Sequence, residues 1–272
     1  MGLISNKISR EKVKPGDHIY TWRAAHSYAH HGIYVGDGKV VHFTGGRGPK
    51  TLTRILVSSS APKRRLCLIC KDHTSFEGFK VITSCLDCFL AGGKLYLYKY
   101  DVSKAAFLAK PRGGTSTLAP SDPPEDVLFR ANFQLRMDGW FGDYDLADNN
   151  CEDFAIYCKT GILVCNKDRF GISGQFNSFL AASLGLVVHA CGLSMVGYGV
   201  YCWARVASDV SRDDDVIKVT AKELVSILES GCTSPREGWL RIAGSKFMGT
   251  QARAAPLGTE SREAEHEVGA SS

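Results

Sequence analysis

A cysteine at the predicted start of a short helix, Cys151, is the most reactive side chain that the sequence offers. Asn150 before it is a good N-cap residue, because its side-chain oxygen can accept a hydrogen bond from a backbone N–H of the first turn. Glu152 and Asp153 put negative charge at the positive end of the helix dipole, and Gly161 ends the helix. Unpaired N–H groups at a helix N-terminus favour a thiolate, so this pattern predicts a nucleophile.

The base that a thiol nucleophile needs could come from histidines upstream. His30 and His31 lie in one β-prone run and His42 lies in the next, on either side of Gly36-Asp37-Gly38. Such runs around a Gly-Asp-Gly turn predict a β-hairpin, and opposed residues on antiparallel strands point to the same face. One of the two adjacent histidines therefore shares a face with His42, which can orient it as a third catalytic group.

The length of the hairpin loop decides which histidine faces His42. A two-residue turn at Asp37-Gly38 puts His31 on that face. A three-residue loop that includes Gly36 puts His30 there instead. Turn chemistry favours the two-residue form, because Asp-Gly suits a type I′ turn.

Two CxxC pairs lie between the hairpin and the cysteine helix. Cys67 and Cys70 are followed, after fourteen residues, by Cys85 and Cys88. This spacing is just below that of four-cysteine zinc sites, in which each tight turn supplies two ligands of a tetrahedron. The pairs predict a structural zinc site that stabilises an insertion over about residues 61–92. The alternatives are buried core cysteines or redox-active pairs.

These motifs together resemble the lecithin:retinol acyltransferase (LRAT)-like proteins, or NC domain family, which are circularly permuted relatives of the NlpC-type cysteine peptidases. The resemblance covers about residues 14–161. It rests on Pro15-Gly16-Asp17, on the run from His30 through His42, and on Tyr144-x-Leu146 followed by Asn150-Cys151-Glu152. The histidines precede the cysteine, as in this family, and the cysteine-rich insertion resembles that of plant members.

The resemblance implies His30 as base, His42 as second histidine and Cys151 as nucleophile. Tyr28 matches a family tyrosine near the site and is expected to help stabilise the oxyanion. Asn150 is expected to support the site as the cap of the cysteine helix.

The reaction that the resemblance implies is acyl transfer without a catalytic cofactor. The thiolate attacks a phospholipid ester, an acyl-thioester forms on the cysteine, and the acyl group passes to an amine, an alcohol or water. The sequence departs from the family at two positions. His31 stands where relatives often have Trp, which makes it a rival base, and Asp153 stands where they often have His.

The stretch from residue 170 to residue 204 contains no Asp, Glu, Lys or Arg. A membrane span needs ~20 mostly apolar residues, so this stretch is expected to span the membrane once, to re-enter it, or to associate with it. The alternative is a buried helical hairpin. At the N-terminus no secretory signal is visible, and Gly2 matches only part of the myristoylation pattern, so residues 1–14 form either a lipid anchor or an ordinary flexible arm.

We therefore predict an α+β protein with an antiparallel β-sheet packed against helices, in a circularly permuted papain-like (NlpC-like) fold with an apolar C-terminal helical segment. The predicted parts are an N-terminal arm (1–14), an LRAT-like catalytic domain (15–161), an apolar membrane-associated segment (170–204), a helical region (205–248) and a disordered tail (249–272).

The predicted function is that of a thiol-dependent acyltransferase or phospholipase A at the cytoplasmic face of a membrane. Its partners are a phospholipid acyl donor, an acyl acceptor and the membrane itself. The alternatives are a non-catalytic membrane-associated scaffold and, more distantly, a cysteine peptidase or amidase. A net charge of +5, without a dense basic run and interleaved aromatics, argues against nucleic-acid binding.

Overall fold

The structure is a computed structural model that describes residues 6–23, 28–45, 67, 69–70, 78–110, 113–137, 139–142, 144, 149–164, 194–207, 209–212 and 216–231. The α+β class predicted from the sequence is confirmed. Five antiparallel strands form one sheet in the order β4-β3-β2-β1-β5, and two short strands, β6 and β7, form a second. The strands are β1 (His18–Arg23), β2 (Tyr28–Gly36), β3 (Lys39–Gly45), β4 (Phe79–Cys85), β5 (Tyr96–Leu97), β6 (Ile162–Val164) and β7 (Val216–Lys218).

Six α-helices lie within the described residues. They are α1 (Leu86–Leu90), α2 (Lys104–Leu108), α3 (Pro124–Arg136), α4 (Cys151–Thr160), α5 (Ser194–Ala207) and α6 (Ala221–Glu229), with 3-10 turns at Arg10–Lys12 and Val210–Arg212. The second half of the predicted cysteine-rich insertion belongs to the main sheet. Its strand β4 is the edge strand beside β3, and α1 follows β4 directly.

The β2–β3 hairpin has the predicted turn and a different register. Asp37-Gly38 forms a two-residue turn with φ values of +50° and +66°, as a type I′ turn requires. A bulge after Tyr34 then shifts the register by one residue, so that Ile33 pairs with Val41 and not with His42. The turn was predicted correctly, but the face inferred from it was wrong, because one extra residue inverts the parity of every position beyond it.

The two faces of the main sheet carry separate hydrophobic clusters. Side chains alternate along a strand, so Ile33 and Val41 face α3 and α4, whereas Val40 faces α1. The first cluster includes Ile33, Val41, Phe43, Val127, Ala131, Cys151, Phe154 and Tyr157. The second includes Ile19, Val40, Leu86, Phe89, Leu90 and Leu95.

A buried arginine joins α3 to the rest of the fold. Arg130 is 1% exposed and donates to the Cys158 carbonyl at 3.0 Å, to the Val219 carbonyl at 3.3 Å and to the Asp122 carboxylate at 2.6 Å. Asp122 lies one residue before the N-cap of α3. Pro123 occupies the N-cap position and makes no side-chain cap bond, since its ring has no polar side-chain atom. The Asp122 carboxylate is held by the arginine.

The described part of the N-terminal arm packs on the sheet. Asn6 is buried and donates to the Thr115 carbonyl at 2.8 Å, and the Ile8 N–H donates to the Leu95 carbonyl at 3.1 Å. These hydrogen bonds attach the described part of the predicted arm, residues 6–14, to the folded domain. Gly2 lies outside the described residues.

The C-terminal part of the chain is described only in pieces. Helix α5 crosses the boundary predicted after residue 204, and residues 165–193 and the predicted tail lie outside the described residues. Among the helices that the structure describes, none has the length and apolar character needed to cross a membrane. Helix α6 begins with a capping box between Thr220 and Glu223.

Candidate functional site

The cysteine helix begins where its sequence predicts. The Asn150 side-chain oxygen accepts from the Glu152 N–H at 2.8 Å, and the Asn150 N–H donates to the Asp153 carboxylate at 2.9 Å. Asp153, which departs from the family pattern, thus closes a capping box. Cys151 is the first helical residue and is 1% exposed, and Gly161 ends the helix with a φ of +68°.

The thiol of Cys151 points at the beginning of β2. Its Sγ lies 3.8 Å from the Ala29 carbonyl oxygen, and the Tyr144 hydroxyl donates toward it from 4.0 Å. Within the described hairpin, the pairing of β2 with β3 runs from Ile33 to the turn, so Ala29 lies beyond that ladder. Burial, and then the neighbouring Cys151, raise the pKa of Tyr144 well above its ordinary value, so its hydroxyl keeps its proton at neutral pH.

Two of the predicted histidines are in direct contact. His30 Nε2 lies 2.9 Å from His42 Nδ1, and His42 Nε2 lies 2.9 Å from the Ser84 hydroxyl. The Phe89 ring packs against both imidazoles, with centroid distances of 5.2 Å to His30 and 5.5 Å to His42. A Cβ at Gly32 would lie 3.0 Å from that ring, so glycine leaves the space that the aromatic contact needs.

The Cys151 thiol contacts β2 at the residue that precedes His30 in the chain. The carbonyl that contacts the thiol belongs to Ala29, and the next residue is His30. Tyr28 precedes Ala29 as the first residue of the strand and is buried, which places it in the same part of the fold.

His31 lies apart from this pair. Its Nδ1 is 2.9 Å from His18 Nε2, its ring stacks on Tyr20, and its side chain is fully buried. Burial lowers the pKa of His31 to about 3. Burial, and then the charge of His31, lower the pKa of His18 as well, so both rings are neutral at physiological pH.

A buried polar cluster continues from His18 to α4. His18 Nδ1 lies 2.8 Å from the Tyr100 hydroxyl, and the His18 ring stacks on Tyr98 at 4.2 Å between centroids. The Tyr98 hydroxyl donates to Glu152 at 3.2 Å. This cluster, made of His18, His31, Tyr98, Tyr100 and Glu152, connects β1, β2 and the segment after β5 to the residue that follows the cysteine.

The four cysteines of the CxxC pairs converge. Their sulfur atoms all lie within 4.8 Å of one another, and the closest pairs are 3.3 Å and 3.7 Å apart. Backbone N–H groups of Cys70 and Ile69 lower the pKa of Cys67 to about 6. Within the described residues, this is the group of side chains with the donor atoms to hold a metal ion.

Several residues of the site were not identified from the sequence. Ser84 and Phe89 reach the histidine pair only because β4 pairs with β3, and His18 reaches His31 only because β1 pairs with β2. Tyr144 carried a signal, since it belongs to the motif on which the family resemblance rests.

An antiparallel sheet with a histidine pair, followed by a helix that begins with a cysteine, defines an LRAT-type domain. The lecithin retinol acyltransferase family profile matches residues 11–164, which is more than half of the chain and includes the five strands of the main sheet and α4. The chain therefore belongs to the LRAT family.

Protein LEAD-SENSITIVE 1 of Arabidopsis thaliana is 47% identical to this chain over 246 residues, which cover 85% of this chain and 93% of that protein. The resemblance to plant LRAT-like proteins is thereby confirmed. Family membership supports an acyltransferase-like or NC-domain role.

Proposed function

We propose that this protein is a thiol-dependent acyltransferase or phospholipase A that takes an acyl group from a membrane phospholipid onto Cys151. The observation that carries the proposal is the position of Cys151, at the start of α4, against the carbonyl that precedes His30. His30 is in turn hydrogen-bonded to His42. A nucleophile, a base and a group that orients the base are the three parts that thiol catalysis needs.

One arrangement of protons on the histidine pair suits transfer of the thiol proton to His30. When His42 donates from Nε2 to the Ser84 hydroxyl, its Nδ1 is an acceptor, and it receives a bond from His30 Nε2–H. His30 Nδ1 is then the nitrogen that takes the thiol proton. The imidazolium formed on His30 is stabilised because His42 still accepts from its Nε2–H.

The reaction then has two halves. The Cys151 thiolate attacks the ester carbonyl carbon, the bond to the glycerol oxygen breaks, and His30 returns its proton to that oxygen as the lysophospholipid leaves. In the second half, His30 removes a proton from the acceptor, the acceptor attacks the thioester, and the thiolate is released. Water as acceptor gives hydrolysis, and an amine or an alcohol gives acyl transfer.

The tyrosines near the thiol suit stabilisation of the oxyanion. The Tyr144 hydroxyl is protonated and already directed at the sulfur from 4.0 Å, so it is a donor next to the carbon that would bind there. Tyr28, which lies two residues before His30, is the second candidate donor.

The exposed side of helix α5 supports the proposal that the protein acts at the cytoplasmic face of a membrane. Tyr198, Val200 and Trp203 are 49%, 61% and 73% exposed, which is unusual for large apolar side chains on a helix that packs on a domain. The helix is held by its other side, where buried Arg205 donates to the Phe107 carbonyl at 3.2 Å. Aromatic side chains at the surface and a net charge of +5 suit an anionic lipid headgroup region.

Turnover of phospholipid by matched cysteine variants tests the proposal. The purified chain is incubated with phosphatidylcholine vesicles that contain an anionic lipid, and lysophospholipid and free or transferred acyl groups are measured by mass spectrometry. Cys151→Ala should lower turnover by roughly 10³-fold or more, because the nucleophile is lost. Cys158→Ala, an identical change further along α4, should leave it close to wild type.

Two results would contradict the proposal. One is undiminished turnover by the Cys151→Ala protein. The other is a folded, vesicle-bound wild type that produces no lysophospholipid with any acceptor, which would favour the non-catalytic scaffold.

A further inference from the structure

The four sulfur atoms of Cys67, Cys70, Cys85 and Cys88 have the spacing of a tetrahedral metal site. Zinc binds thiolate sulfur at ~2.3 Å, so two ligands of a tetrahedron are about 3.8 Å apart. The closest sulfur pairs are 3.3 Å to 3.7 Å apart, and all four sulfurs lie within 4.8 Å of one another. A single ion at their centre would reach all of them with small adjustments of side-chain rotamers.

The local backbone favours a metal site over core packing. Cys88 is exposed and Cys67 and Cys70 are half-buried, whereas cysteines that only fill a core are enclosed on all sides. The Cys88 N–H donates to the Cys85 sulfur at 3.4 Å, so one tight turn presents two sulfurs to the same point. Ile69, inside the other CxxC turn, is 77% exposed, so burial of its side chain does not hold this turn against the domain.

The site is connected directly to the histidine pair. Ser84, which bonds to His42, is adjacent to Cys85, and Phe89, which packs on both imidazoles, is adjacent to Cys88. Both connections run through the last residue of β4 and the five-residue helix α1. A helix of this length is too short to be stable alone, so a bond at each end of its first turn would fix its position.

We propose that Cys67, Cys70, Cys85 and Cys88 bind one zinc ion, which clamps α1 and thereby holds Ser84 and Phe89 against the histidine pair. The zinc has a positioning role and touches no substrate. Zinc binding itself is independent of the proposed function, whereas its effect on turnover rests on that function.

Metal content of the full purified chain tests the binding. The wild type should carry about one zinc per chain by mass spectrometry of the metal, and cobalt exchange should give the absorption of a tetrahedral thiolate site. Cys67→Ser combined with Cys70→Ser should lose the zinc, whereas Cys158→Ala should keep it. Because the double variant could fail to fold, Cys88→His provides a second comparison. It supplies a nitrogen ligand and should keep the zinc, whereas Cys88→Ser should bind it more weakly.

The positioning role is tested by imidazole NMR with an internal control. When a chelator removes the zinc, the signals of His30 and His42 should shift, whereas those of His31, on the other face of β2, should stay in place. Turnover should fall at the same time and recover when zinc is returned.

The outcomes separate the two proposals. A wild type that binds zinc but forms no lysophospholipid leaves the metal site standing and overturns the enzyme. Full turnover in a chain with no zinc, with the four thiols all titratable or joined as disulfides, overturns the metal site and leaves the enzyme standing.

Discussion

The buried pair of His18 and His31 predicts a specific loss of stability in acid. Their rings lie 2.9 Å apart between nitrogens, and burial lowers the pKa of both. An unfolded chain binds protons at these rings below about pH 6.5, whereas the folded chain does not. The contribution of these neutral rings to the free energy of unfolding is therefore fully present above about pH 6.5 and is lost as the pH falls. For His31 the loss ends near its folded-state pKa of about 3.

The magnitude for His31 follows from its pKa of about 3 in the folded chain and 6.5 as the ordinary value. At pH 5 the unfolded chain gains RT ln(1 + 10^1.5), which is about 2 kcal/mol, while the folded chain gains almost nothing. His31→Phe removes this contribution. The wild type should lose about 2 kcal/mol more than the variant between pH 8 and pH 5, beyond the losses that both proteins share.

The assay is urea unfolding of both proteins at pH 8 and pH 5, followed by tryptophan fluorescence. The compared quantity is the change in the free energy of unfolding between pH 8 and pH 5. The cost of losing the His18–His31 hydrogen bond in the variant is present at both pH values, so it cancels. If both proteins lose the same free energy of unfolding between the two pH values, His31 is not held neutral by burial. The low pKa that makes His31 a poor base near neutral pH would then be wrong as well.

Further substitutions have distinct expected effects. His30→Ala should abolish acylation of the cysteine, whereas His31→Phe should keep most of it, because only the first belongs to the histidine pair; the reverse result would make His31 the base. Ser84→Ala should lower kcat by about 10-fold with little change in KM, since a hydrogen bond that orients the second histidine is worth roughly 1–1.5 kcal/mol; an unchanged kcat would contradict that role. Arg130→Met should lower the free energy of unfolding by about 3–5 kcal/mol, because it breaks a buried ion pair. Lys218→Met, at the exposed partner of the same carboxylate, should cost at most about 1 kcal/mol, and equal costs in urea unfolding would contradict the account.

The parts of the site that depend on neighbouring residues were predictable from the sequence. The start of α4 at Cys151 follows from the capping residues on either side of it, and its end follows from Gly161, which adopts positive φ. The Asp37-Gly38 turn follows from its two residue types. Each CxxC turn brings its own two sulfurs together, and the zinc-like spacing of the two pairs indicated that the turns would meet.

The parts that depend on pairing between strands were not predictable. The bulge after Tyr34 inserts one residue beside Gly36, whose φ is +98°, and this insertion decides which histidine meets His42. The register of β4 against β3 brings Ser84 to the pair, and the register of β1 against β2 brings His18 to His31. The family resemblance supplied His30 where turn chemistry alone favoured its neighbour.

Detection of an acyl-thioester on Cys151 tests the central claim most directly. The wild type is mixed with phospholipid vesicles, quenched in acid, and analysed as an intact protein and as peptides by mass spectrometry. The account predicts one added acyl group on the peptide that contains Cys151, removable by hydroxylamine and missing from Cys151→Ala. Phospholipid turnover with the acyl group on another residue, or with an adduct that persists in Cys151→Ala, would contradict it.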